Sequence, residues 1–158
     1  MMEEIEPIRR SVTVQASPER AFEVFTEGFG SWWPLEVHSL AMDEPLPGEE
    51  PQVPATAIIE PREGGRVFEQ LADGRENGWG TVTAWDPPRR LVIAWSPVRE
   101  PRPTTDIEVS FIARGDGTLV ELTHTGWERL GPRGVDARAG YDSGWPGTLA
   151  RFAEAANG

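Results

Sequence analysis

His124 and Glu69 are the two side chains whose type and neighbours could move a proton inside this chain. Val120, Leu122 and His124 alternate along one stretch, which predicts a strand with the imidazole on its apolar face. There it could act as a base near neutral pH or hydrogen-bond a ligand, or it could be a core histidine satisfied by a neighbour. Glu69 alternates in the same way with Val67 and Leu71. A buried carboxylate is costly unless it is paired, so Glu69 needs an Arg, a His or a ligand donor, unless a bulge or a strand edge turns it to solvent. With both inside, the two would form the polar end of an apolar pocket, and they are the catalytic candidates if a reaction runs there. The other histidine, His38, lies in an acidic stretch where a solvated loop residue is expected. Two histidines far apart with scattered acids match no metal-ligand spacing. There is no Gly-x-Ser-x-Gly elbow, no His-Glu-x-x-His and no Gly-x-Gly-x-x-Gly after a strand, so neither a nucleophile constellation nor a cofactor is expected.

Aromatic residues supply what the titratable ones do not. Three of the seven tryptophans, Trp79, Trp85 and Trp95, fall on one stretch, Asp73 to Trp95, that reads as two antiparallel strands around Asp86-Pro87-Pro88. The prolines cannot donate ladder hydrogen bonds and must end the strand. So many indoles need a large cover, either a helix or a ligand. Trp32 and Trp33 are adjacent and must point apart. The residues expected to line a ligand cavity are Phe25, Trp33, Trp79, Trp95, Phe111, Tyr141, Trp145 and Leu149, with Glu69 and His124 as its polar groups. Plain core is the alternative for the tryptophans, and a partly exposed helix start for Tyr141.

Composition narrows the classes. With 158 residues the chain has the length of one domain, 1–158, able to bury a core or a core with a cavity. It has no cysteine, which excludes disulfides, cysteine-ligated zinc and thiol catalysis and fits a reducing, cytoplasmic setting. All 15 basic residues are arginine, so lysine Schiff-base and P-loop chemistry are excluded. A formal net charge of −11 argues against nucleic acid as a partner. No apolar run reaches the roughly 18 residues of a membrane span, and the N-terminal stretch lacks the apolar core of a signal peptide, so no membrane insertion is expected.

The elements that must position these residues follow from periodicity. Ile8 to Gln15 reads as a strand. Ser17-Pro18-Glu19 reads as a helix start, with Ala21, Phe22, Phe25 and Phe29 at helical spacing and glycines 28 and 30 ending it. A second short turn ends at Pro34. Leu35 to Pro54 carries four prolines and several acids without periodicity; it reads as a long acidic loop, either a cover or an insertion without a role. Strands are predicted over 56–60, 66–71, 79–85, 91–95, 105–113 and 119–125, in an antiparallel meander. Tyr141, Trp145, Leu149, Phe152 and Ala156 form one apolar helical stripe, interrupted by Pro146, which should kink the helix or mark its start.

Gly28 to Pro34 (GFGSWWP), Gly64 to Glu69 (GGRVFE), Trp85 to Trp95 (WDPPRRLVIAW), Asp116 to Trp127 (DGTLVELTHTGW) and Gly144 to Ala153 (GWPGTLARFA) together resemble the START-like (SRPBCC, helix-grip) superfamily. The similarity is best to its bacterial branch named for the activator of the ninety-kilodalton heat-shock protein's ATPase. The resemblance implies an α+β helix-grip fold: a curved antiparallel sheet of about seven strands wrapped around a long C-terminal helix, with two short helices after the first strand and a hydrophobic tunnel. Members include lipid carriers, polyketide cyclases, hormone receptors and a co-chaperone domain, so the fold implies no single function. The expected function is binding of a small hydrophobic or aromatic molecule between sheet and helix. The alternatives are a cyclase or dehydratase using the same cavity and a chaperone-interacting domain. A homodimer is the one self-association left open.

Overall fold

The structure, a computed structural model, describes residues 5–99 and 103–158. Seven strands form one antiparallel, curled sheet in the order β1-β7-β6-β5-β4-β3-β2. They are β1 (Ile8–Val14), β2 (Thr56–Ile59), β3 (Arg66–Gln70), β4 (Glu76–Asp86), β5 (Arg90–Trp95), β6 (Thr105–Arg114) and β7 (Gly117–Thr125). The clean alternation of β6 and β7 sends Ile107, Val109, Phe111, Val120, Leu122 and His124 to the concave face, where all are buried. The β4–β5 turn forms at Pro87-Pro88, closed by the Arg89 amide on the Asp86 carbonyl at 2.8 Å. Irregularities between Val67 and Phe68 and between Val82 and Ala84 break the register there, and such bulges bend the strands that carry them.

Helix α1 (Pro18–Thr26) starts as its sequence dictates: Ser17 accepts the Arg20 amide at 3.2 Å and proline occupies the first turn. Helix α2 (Phe29–Trp32) follows. A third short helix, α3 (Leu40–Asp43), lies inside the stretch expected to be a loop, capped by the Ser39 hydroxyl. That stretch is a fixed wall. Arg75 grips Glu49 at 2.7 and 3.0 Å, Arg99 donates to the Glu44 carbonyl at 2.6 Å, and Arg151 pairs with Glu36.

A 3-10 segment (Trp127–Arg133) leads into α4 (Gly134–Asn157). Pro146 therefore does not mark the helix start; α4 runs through it. Proline lacks the N–H that would bond the Asp142 carbonyl four residues earlier. Arg10 of β1 supplies the donor instead, at 3.3 Å, and also pairs with the Asp142 carboxylate. The same arginine thus repairs the helix and fastens it to the sheet. At one end of the concave space, Phe22, Phe25, Trp32, Phe111 and Phe152 pack ring against ring into solid core. The other end is hollow.

Candidate functional site

The hollow end is a cavity of about 400 Å³, within the range of small-molecule sites. Its walls are Trp33, after α2; Trp79 of β4; Trp95 at the end of β5; and Tyr141 and Trp145 of α4. Trp33 stands at their centre, 5.6 Å from Trp79, 5.6 Å from Trp95 and 6.0 Å from Trp145 between ring centroids. Between those rings α4 is nearly bare, because the small residues Ala137, Gly140, Gly144 and Thr148 recur along the face that borders the space. A Cβ at Gly140 would meet nothing within 4 Å, and one at Gly144 would lie 3.5 Å from His38 Nε2. His38, Ser39, Asp43, Glu44 and Asp136 are the polar residues of the lining beyond Tyr141 and Thr148, joined by Pro97 and Val98.

Glu69 is fully buried and saturated. Its Oε1 accepts the Leu40 amide at 2.6 Å and the Trp79 indole at 2.7 Å. Its Oε2 accepts the Ala41 amide at 2.9 Å and the Asn77 side chain at 3.0 Å. Among the described residues no arginine or histidine is its partner. Two unpaired amides of a one-turn helix are satisfied by a carboxylate from the sheet, which fastens the 35–54 stretch to β3 and orients Trp79.

His124 is equally enclosed. The Trp145 indole N–H donates to Nδ1 at 3.1 Å. An indole nitrogen only donates, so Nδ1 carries no proton and the neutral ring holds its hydrogen on Nε2. That nitrogen is 2.7 Å from the Thr105 hydroxyl, whose own proton lies toward the Trp95 carbonyl at 3.5 Å. Burial drives the imidazole pKa down from 6.5 to about 3. The ring stays neutral at physiological pH, with both nitrogens occupied by protein groups.

Of the residues expected at the site, Trp33, Trp79, Trp95, Tyr141 and Trp145 line the cavity together. Phe25, Phe111 and Leu149 lie in the core, and Glu69 and His124 stand behind the walls, each holding an indole. Glu69 and His124 do not bond each other. His38 stands at the cavity, not in open solvent, with its backbone carbonyl accepting the Trp33 indole at 2.8 Å. Asp43 and Asp136 join the lining without having been expected there. The signal for Asp136 and its helix face was the run of small residues at 137, 140, 144 and 148; nothing periodic announced Asp43. Burial raises the Asp43 carboxyl above its ordinary pKa, opposed by attraction to His38.

A curled antiparallel sheet closed over a long C-terminal helix, hollow at one end, defines a START-like, helix-grip protein. The chain belongs to the family described as Activator of Hsp90 ATPase homolog 1-like protein, which matches residues 15–157. Among solved structures it is similar to an anthrahydroquino-γ-pyrone synthase, Txn09, complexed with SUM: 38% identity, 98% of this chain and 99% of that one, TM-score 0.61. It is also similar to CalC, a self-sacrificing resistance protein from Micromonospora echinospora: 31% identity, 95% and 93% of the two chains, TM-score 0.65. The Aha1 dimer of Colwellia psychrerythraea shares the fold at 17% identity over 97% of each chain, TM-score 0.67. No curated protein sequence matches the chain. No helix among the described residues is long and apolar enough to cross a membrane.

Proposed function

We propose that the cavity binds a small, planar, largely aromatic molecule. The observation that carries this is the wall of four indoles and a phenol around about 400 Å³ of space, beside the small residues Ala137, Gly140 and Gly144 of α4. Aromatic walls reward flat rings through offset and edge-on contacts beyond simple area burial. Two relatives above 30% identity support the reading, one of them an anthrahydroquino-γ-pyrone synthase complexed with SUM. The test is Gly140→Leu. A Cβ there meets nothing, so the new side chain enters the cavity without a clash, and leucine is the better helix former by roughly 1 kcal/mol. Titration with anthraquinone should quench the parent's tryptophan fluorescence saturably, and G140L should lose that binding while melting no lower than the parent. Unchanged binding by G140L would place the ligand elsewhere.

A second reading is a ring-forming enzyme, favoured by the 38% identity to a synthase. Its proton-moving groups would be His38 and Asp43, which reach the cavity, whereas His124 and Glu69 are bonded behind its walls. Asp43→Asn should then remove turnover of a bound substrate and leave its binding measurable. A chaperone-interaction role would use exposed apolar side chains, which among the described residues are Val37, Leu46, Val53, Ile112 and Val135. Self-association like that named for the Colwellia protein is tested by sedimentation equilibrium.

A further inference from the structure

The cavity's carboxylates outnumber its basic groups among the described residues, and its indole donors are committed to the protein. Each of its four indole N–H groups is already spent on the protein. Trp33 donates to the His38 carbonyl (2.8 Å), Trp79 to Glu69 (2.7 Å), Trp95 to the Tyr141 oxygen (2.8 Å) and Trp145 to His124 (3.1 Å). What these rings offer an occupant is their π-faces and edges, and the faces carry partial negative charge. The Thr148 hydroxyl is likewise turned back onto the Gly144 carbonyl at 3.2 Å. Although the chain holds 15 arginines, none among the described residues lines the space; the basic side chain among the described lining residues is His38. Three carboxylates line it instead, those of Asp43, Glu44 and Asp136. Glu44 already lies against the Arg99 backbone amide at 3.4 Å. The Asp43 carboxylate receives no hydrogen bond from any described residue, although burial already strips it of part of its water.

These two independent features, π-faces with their N–H groups withdrawn and a carboxylate lacking a donor, favour the same complement. We infer that the aromatic occupant carries a protonated amine, seated between the indole faces and Asp43. The inference rests on the binding reading above and names its ligand class. Cations are drawn to indole faces, and a partly desolvated site strengthens that attraction. An anionic occupant would meet carboxylates and ring faces of its own sign, with His38 to offset them among the described lining residues.

The test uses three anthraquinones that differ only in a two-carbon arm, ending in a primary amine, protonated as ammonium at neutral pH, a hydroxyl or a carboxylate. Each is titrated into the intact protein by tryptophan quenching in low salt. The ammonium probe should bind at least tenfold more tightly than the hydroxyl probe, about 1.4 kcal/mol, and the carboxylate probe most weakly. The ammonium-to-hydroxyl ratio should fall to within twofold in the Asp43→Asn, Asp136→Asn double variant and should shrink in about 1 M salt, where the screening length is near 3 Å. Equal affinity for the ammonium and hydroxyl probes overturns the charge inference and leaves the binding reading standing. Saturable binding by none of the three overturns both.

Discussion

Replacing Glu69 with glutamine changes one oxygen to an NH2 group and almost no volume, yet it should damage the cavity wall. Each carboxylate oxygen accepts two donors: Leu40 N and Trp79 Nε1 on one side, Ala41 N and Asn77 Nδ2 on the other. Whichever way the amide turns, its NH2 group faces two donors and can accept from neither. An orphaned buried donor costs about 1–3 kcal/mol. Asn77 is only half-buried and can rotate toward solvent, so the larger share of the loss falls on the backbone amide or the indole. A total of about 2–4 kcal/mol follows, against a typical stability of about 5–15. For a domain of this length the melting temperature should drop by roughly 5–15 °C. Circular dichroism measures that fall. The indole N–H resonances in a proton–nitrogen correlation spectrum test its origin, because Trp79 should shift more than Trp127, whose indole bonds the distant His124 carbonyl. Anthraquinone affinity should weaken as α3 loosens. A melting temperature within about 2 °C of the parent, with the Trp79 resonance unmoved, would refute the claim that this carboxylate holds the wall.

His124 gives a pH signature. Its pKa is about 3 when folded and 6.5 when exposed, so below pH 6.5 the unfolded chain takes up a proton that the folded chain refuses. Stability is therefore full above that pH and falls by up to about 1.4 kcal/mol per unit toward the lower value. In urea unfolding, His124→Gln should be the less stable protein at pH 7.5, and its deficit should shrink by about 2 kcal/mol at pH 5; parallel pH profiles would contradict a buried neutral imidazole. Ending the chain before Pro146 removes the buried Leu149 and Phe152. Each contributes about 1.5–3 kcal/mol, so the cooperative thermal transition should disappear, and a fragment that still melts sharply would show that α4 is dispensable.

How far the sequence foretells this structure depends on which residues carry the signal. The alternation of Ile107, Val109 and Phe111, and of Val120, Leu122 and His124, is a strand pattern with one buried face, and the structure keeps that face. The apolar stripe of the last helix likewise buries Trp145, Leu149 and Phe152. Those signals are large side chains at regular intervals. The cavity is made by the opposite, the missing side chains at 137, 140 and 144, and a search for apolar periodicity passes over them. It also explains why Trp33 borders space while Phe25 and Phe111 are packed solid: the difference lies in what faces them. Trp85, grouped by sequence with Trp79 and Trp95, instead meets Phe22 at 5.0 Å in the filled end. The face of Glu69 was legible and its partners were not. Two of them are backbone amides in a stretch with no periodicity, and a backbone amide leaves no mark in a sequence.

The four indole bonds also bear on when the cavity exists. Their acceptors come from the segment before α3, from β3, from α4 and from β7. Trp33 and its acceptor are five residues apart, but Trp79 reaches back to β3, Trp95 reaches forward to α4, and Trp145 reaches back to β7. No one element therefore fixes the wall. The sheet must be paired, α4 laid across it and α3 fastened by Glu69 before the four rings hold their places together. Once they do, the flat ligand proposed above would meet rings already held by hydrogen bonds and lose little affinity to ordering them. In the proposed binding role, Glu69 and His124 would serve the ligand without touching it, by fixing the orientation of the indoles.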